Sequence, residues 1–157
     1  MTWIADGFEV GRHTGDGLML IAATVAIHYA GTLAIVWLTF HYRRVVERHF
    51  NFVFNTALVM AVVLALLAVH IAEVTCWGLF YFYRNCFPTF GMSLYFSIVT
   101  YTTLGYGDVL PDREWRLLAG VEALTAGLML AWSTAVILGV LTKIYSRRME
   151  QWKQREL

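Results

Sequence analysis

Seven consecutive residues, Thr102-Thr103-Leu104-Gly105-Tyr106-Gly107-Asp108, hold the densest chemistry in this sequence. A cation stripped of its water needs a cage of oxygens in exchange. The backbone carbonyls of Thr103, Leu104, Gly105 and Tyr106 can form one wall of such a cage, with the Thr103 hydroxyl closing its inner end. Turning successive carbonyls toward one axis requires backbone angles that alternate between ordinary and left-handed regions. Gly105 and Gly107 reach the left-handed region at little steric cost. One chain offers a single carbonyl per layer. A caged ion takes about eight oxygens, as two layers of four, so four copies must share one axis. A glycine-rich surface turn is the plain alternative, because G-x-G alone is a weak signal. The setting argues against it: an aromatic, apolar stretch precedes the run and a long apolar stretch follows.

The run resembles the TVGYG filter of potassium channels, with Leu104 in place of the central valine. That position contributes a carbonyl, so the ligand set stays intact, while the larger side chain behind it bears on filter stability or inactivation. The resemblance extends from about Leu67 to Thr142, where the chain looks like the two-helix pore module of ion channels. It implies K⁺ as the transported ion, bound at Thr103, Leu104, Gly105 and Tyr106, with Gly107 completing the filter. It also implies a homotetramer in lipid, with no organic cofactor, no nucleic-acid partner and no enzymatic chemistry.

Something must hold four such loops at membrane depth. Of the 157 residues, 59% are hydrophobic and 15% charged, an apolar share above the soluble average. Three stretches are long enough for a bilayer, which takes about 20 residues: Leu18 to Phe40, Val53 to about Tyr83, and Trp115 to Tyr145. The second exceeds what a bilayer needs, so its outer end is expected to bend or leave the hydrocarbon near Gly78. Phe87 to Tyr101 is apolar but too short to span. It suits a re-entrant helix, allowed at that depth where protein or a water-filled cavity satisfies its ends. The expected fold is an all-α membrane protein: three transmembrane helices, a re-entrant pore helix and a filter loop, assembled as a tetramer. The expected organisation is 1–52 for the outer segment, first helix and cytoplasmic loop, 53–145 for the pore domain, and 146–157 for a short tail.

Met1 to Asp16 carries Asp6, Glu9 and Asp16 against Arg12, so no basic region precedes the first apolar run and that helix is expected in the mature protein. Arg43, Arg44 and Arg48 lie between the first two spans, and Lys143, Arg147, Arg148, Lys153 and Arg155 follow the third. Together these are eight of the twelve Lys and Arg residues. Three spans put both groups on one side, which the positive-inside rule makes cytoplasmic. The N-terminus and the filter mouth then face outward from the cell membrane. The tail is expected to be a solvated helix end, with the membrane surface as the alternative. The first span lacks the regular arginines of a voltage sensor. No soluble regulatory domain is expected in this sequence, and the gating stimulus stays open.

Pro88 and Thr89 make a helix start, with Thr89 as cap. A helix ending at Tyr101 turns its negative dipole end toward the pore interior, favouring a cation. Tyr95 and Phe96 resemble the aromatic pair that forms a stiff cuff around the filter. The resemblance lets Tyr95 reach Asp108, assigned to outer support and mouth charge. Val99 stands where some relatives carry a buried glutamate, which argues against a carboxylate pair directly behind this filter.

Glu73 and Glu122 are acids inside spans and must face protein or water. Each lies about 15 Å of helix below its outer boundary, at about 1.5 Å per residue. His70-Ile71-Ala72-Glu73 resembles the end of the outer helix in voltage-gated relatives, which implies that Glu73 accepts hydrogen bonds from the backbone just after the filter, within Val109 to Glu114. His70 is read as packed or hydrogen-bonded, with proton sensing as the alternative. Glu122 receives no role beyond the option of being protonated. Gly127 follows Gly107 by twenty residues, similar to the hinge glycine of inner helices; close helix packing is the equal alternative. Leu128, Ala131 and Ala135 are helix-spaced for a cavity face, and Ser133 and Thr134 are expected to bond back to carbonyls. Cys76 and Cys86 are either bridged or free.

The leading function is a potassium-selective channel. The alternatives are a weakly selective cation channel and a non-conducting accessory subunit. An intramembrane enzyme on His70, Glu73 and Glu122 lacks a recognisable nucleophile or metal spacing.

Overall fold

A computed structural model describes residues 14–46 and 52–155. The readings that rest on residues 1–13 and on Arg48 lie outside the described residues. Four α-helices follow in order: α1 (Thr14–Val46), α2 (Phe52–Tyr83), α3 (Phe90–Tyr101) and α4 (Arg116–Arg155), with a 3-10 turn at Arg113–Trp115. Among the described residues there is no strand. Three segments are long and apolar enough to cross a membrane: Thr14–His41, Val53–Tyr83 and Arg113–Ser146. Helix is the form these segments must take, since lipid satisfies no backbone polar group. At 12 residues, α3 cannot span. The helix α2 runs unbroken through Gly78, and α4 continues the third span to Arg155.

The chain divides into two compact units, one of Met1–Ile27 with Ile71–Met129, the other of His28–His70 with Leu130–Leu157. The first holds an aromatic core of Leu20, Trp77, Tyr81, Phe87, Phe96, Trp115 and Leu118. Its rings meet at angles that aromatic quadrupoles favour: Tyr81 stands edge-on to Phe96, centroids 5.2 Å apart. Gly78 is a point of close approach, where an added Cβ would sit 3.1 Å from the Leu94 Cα of α3. The extra helix α1 is fastened to this unit by polar contacts as well as by Leu20. The Trp77 Nε1–H donates to Thr24 Oγ1 at 2.9 Å, and Arg84 pairs with Asp16. The Arg84 guanidinium also lies over the Phe80 and Trp115 rings.

The second unit packs Ile35, Val62 and Leu66 with Val69, Val136, Ile137 and Val140. His70 Nε2 lies 2.9 Å from Ser133 Oγ, and the His28 ring is 5.4 Å from both His70 and Trp132. His70 is thus hydrogen-bonded, as expected. Ser133 bonds across to it, whereas Thr134 bonds back to the Leu130 carbonyl at 2.9 Å.

Candidate functional site

The site begins at the cap of α3. Thr89 is extended, and its Oγ1 accepts from the Met92 amide at 3.2 Å, satisfying one of the free amides of the first turn. At the other end the helix closes on itself. The Thr102 hydroxyl donates to the Ile98 carbonyl at 2.7 Å. The Leu104 and Gly105 amides both donate to the Val99 carbonyl, at 3.0 and 3.1 Å. These bonds turn the chain back from the helix axis and launch the loop.

Along the loop φ is positive at every second residue: 58° at Thr103, 58° at Gly105 and 75° at Gly107. The two glycines meet the alternation expected of a carbonyl cage. An added Cβ at either would meet nothing within 4 Å, so the demand is for backbone angle and not for space. Thr103 is the surprise, because a β-branched residue resists this region. Its amide donates to the Thr100 carbonyl at 2.9 Å, one of the helix-end bonds that hold the turn. Every residue from Thr102 to Asp108 is exposed in the single chain, including Leu104 at 55% and Tyr106 at 66%.

The Tyr95 hydroxyl donates to Asp108 Oδ2 at 2.7 Å. That bond, first among its causes, raises the phenol above its ordinary value. Phe96 parts from Tyr95. It is buried in the aromatic core against Tyr81 and Phe87, where the expectation made it half of a cuff around the filter.

Glu73 and Glu122 are both fully buried, and each takes a hydroxyl from a neighbouring helix. Glu73 accepts from the Tyr101 hydroxyl at the end of α3, a partner outside the expected range of Val109 to Glu114. Glu122 accepts from the Tyr81 hydroxyl at 2.9 Å, and its other oxygen lies 2.6 Å from Ser97 Oγ. Ser97 Oγ is also 3.0 Å from the Val74 carbonyl. A carboxylic group does lie behind the pore helix, supplied by α4 and not from position 99. The sequence reading missed Ser97, Tyr81 and Tyr101. The signal was present in α3: Ser93, Ser97 and Tyr101 recur at helical spacing and are all buried, a hydroxyl stripe of which Ser97 and Tyr101 meet the acids of the spans.

Gly127 is exposed, with nothing within 4 Å of an added Cβ, so within one chain it serves no close packing. Leu128, Ala131 and Ala135 are each exposed. Cys76 and Cys86 are free thiols. Burial pushes the Cys86 thiol up to about 11.

Comparison with known proteins agrees with this geometry. Residues 69–143 match the family described as Ion channel. Over 70 residues, 44% of the chain, the sequence is 31% identical to the potassium voltage-gated channel protein Shal of Drosophila melanogaster. The matched region spans 12% of that relative's length. No solved structure gives a significant match. The chain is a multi-pass membrane protein with a short pore-like helix, and its residues 69–143 match the pore domain of ion channels rather than an enzyme family.

Proposed function

We propose that the protein is a potassium-selective channel. Four copies surround one axis, and K⁺ passes down its gradient between the backbone carbonyls of Thr103, Leu104, Gly105 and Tyr106. The observation that carries this reading is the alternating positive φ at Thr103, Gly105 and Gly107 in an exposed loop launched from a capped helix end. A loop of this shape offers successive carbonyls but only one wall, and three further copies complete the cage. The 70-residue similarity to a potassium channel supports the choice of ion. Tyr95 and Asp108 brace the outer end of the filter, Glu73 braces its inner end through Tyr101, and Gly127 is the bending point of the inner helix. The pore domain occupies 53–145, between the first-helix region 1–52 and the tail 146–157. The filter mouth and N-terminus face outward, and the tail is cytoplasmic.

The test is recording from purified protein in a bilayer under opposed K⁺ and Na⁺ gradients, with mass measured in detergent. A reversal potential that follows K⁺, from a particle of four chains, is expected. A potential between the two ions would make it a weakly selective cation channel. Silence from an intact tetramer would make it an accessory subunit.

A further inference from the structure

Glu122 is fully buried in the third span, and nothing in the conduction path above uses it. Its surroundings hold a count of hydrogens that does not balance if it is ionised. Tyr81 of α2 donates to Oε2 at 2.9 Å, and Ser97 Oγ of α3 lies 2.6 Å from Oε1. The same Ser97 Oγ is 3.0 Å from the Val74 carbonyl of α2. A serine hydroxyl has one hydrogen, and a carbonyl has none to give. If Ser97 donated to an ionised carboxylate, its oxygen and that of Val74 would face each other with no hydrogen between them. The negative charge would also sit in the membrane interior with only neutral hydroxyl donors around it. One proton on Oε1 resolves both problems. Glu122 then donates to Ser97, Ser97 donates to Val74, and Tyr81 donates to the remaining carboxyl oxygen. Each hydrogen finds one acceptor.

We propose that Glu122 is held as a neutral carboxylic acid and is a positioning residue for the filter. As donor to Ser97 it pins the pore helix α3 to the outer helix α2, one turn before Tyr101. Loss of its proton breaks the pin and stops steady conduction. The role of this pin rests on the reading of residues 102–108 as a filter; the protonation does not. The titratable groups around Glu122 are Tyr81 from α2 and Tyr101 from α3, the latter bonded to Glu73 of α2. Cys76 of α2 and Cys86 beyond it flank the same core. In this unit α1 contributes Asp16, paired with Arg84. Of these groups only Arg84 is cationic, and its charge is committed to Asp16.

Infrared spectroscopy of the full chain in lipid at neutral pH tests the protonation. A protonated-carboxyl band is expected, absent in Glu122→Gln and shifted in Ser97→Ala, where its acceptor is gone. A wild-type spectrum without such a band overturns the proposal, and it needs no variant to fold and no current to flow. Bilayer recording tests the pin. The amide of Glu122→Gln still donates toward Ser97 and accepts from Tyr81, but it has no proton to lose in this range. Over the pH range in which the wild-type carboxyl band bleaches, steady current should fall by at least about tenfold, because each pH unit past a midpoint cuts the protonated fraction about tenfold; a current that outlasts the band overturns the pin. Glu122→Gln should hold its current within about twofold over that range. Equal losses in both proteins overturn the pin. A band without any current upholds the protonation and overturns the filter reading instead.

Discussion

The Tyr95 hydroxyl donates to Asp108 Oδ2 across 2.7 Å, tying the middle of α3 to the far end of the glycine-containing loop thirteen residues later. The bond reaches from α3 past the glycines, so it resists the loop's collapse from that end. Tyr95→Phe removes the hydroxyl and leaves the ring. Current should decay several-fold faster under sustained opening while ion selectivity is kept, as read in single-channel and macroscopic recordings. The bond also carries a pH signature. A phenol raised in the folded chain favours its neutral, donating form. The tie is therefore whole below the ordinary phenol value of about 10 and is lost as pH climbs through the raised one. That late alkaline step should vanish in Tyr95→Phe.

Gly105 and Gly107 hold φ of 58° and 75° with open space where a Cβ would stand. Alanine at either position would cost about 1–2 kcal/mol per chain from backbone angle alone. In the proposed tetramer four copies multiply that cost, so loss of current or of K⁺ preference is expected. Full K⁺ selectivity in both variants would refute the filter assignment. Thr103→Ala keeps the angle and loses only the hydroxyl, and should weaken the innermost ion site without abolishing selectivity.

Glu73 and Tyr101 form a buried pair between α2 and the end of α3. Glu73→Ala would leave the phenol without this acceptor and should cost about 1–3 kcal/mol per chain, read as a lower melting temperature of the assembly in detergent. Glu73→Gln still accepts and should recover most of that loss. Tyr101→Phe should make Glu73→Ala almost harmless in a double-mutant cycle. Additive losses would show that Glu73 acts through other partners, such as the backbone of residues 109–114.

Two glycines of the long helices should answer alanine in opposite ways. At Gly78 a Cβ would press on the Leu94 backbone at 3.1 Å, so Gly78→Ala should destabilise the seating of α3 by about 1–3 kcal/mol. At Gly127 there is room, and Gly127→Ala should raise helix stability by about 1 kcal/mol. If Gly127 is a bending point, that same variant should reduce the open time seen in recordings. Unchanged gating would remove the hinge role.

Spans, the short helix α3 and the alternating backbone of the loop after it were legible because each leaves a mark in residue order. The spans show as apolar length, the pore helix as a Thr89 cap before an apolar run, the filter as glycines two apart. Tyr95 and Asp108 were legible through a familiar spacing. The acids were legible as anomalies and the hydroxyls of α3 as a stripe, but which hydroxyl meets which acid was not. Tyr81, Ser97 and Tyr101 lie 41, 25 and 28 residues from the acids they meet, and no local pattern fixes which faces of three helices turn inward. The packing of Phe96 against Tyr81 and Phe87 was hidden for the same reason. Adjacent residues on a helix point about 100° apart, so Phe96 turns into the aromatic core while Tyr95 reaches Asp108. The fastening of α1 through Trp77 to Thr24 and Arg84 to Asp16 is likewise a tertiary fact.

The Val99 carbonyl takes two amide hydrogens, from Leu104 and Gly105, and so closes the bend into the filter within a single polypeptide. A newly inserted subunit therefore carries the curvature of its loop before it meets another copy. Ordering that bend belongs to the folding of one chain, and in the proposed tetramer association would start from preformed walls. Defects at Val99, Leu104 or Gly105 would then surface early in biogenesis, as subunits that insert but fail to join, and only secondarily as channels that join but fail to conduct.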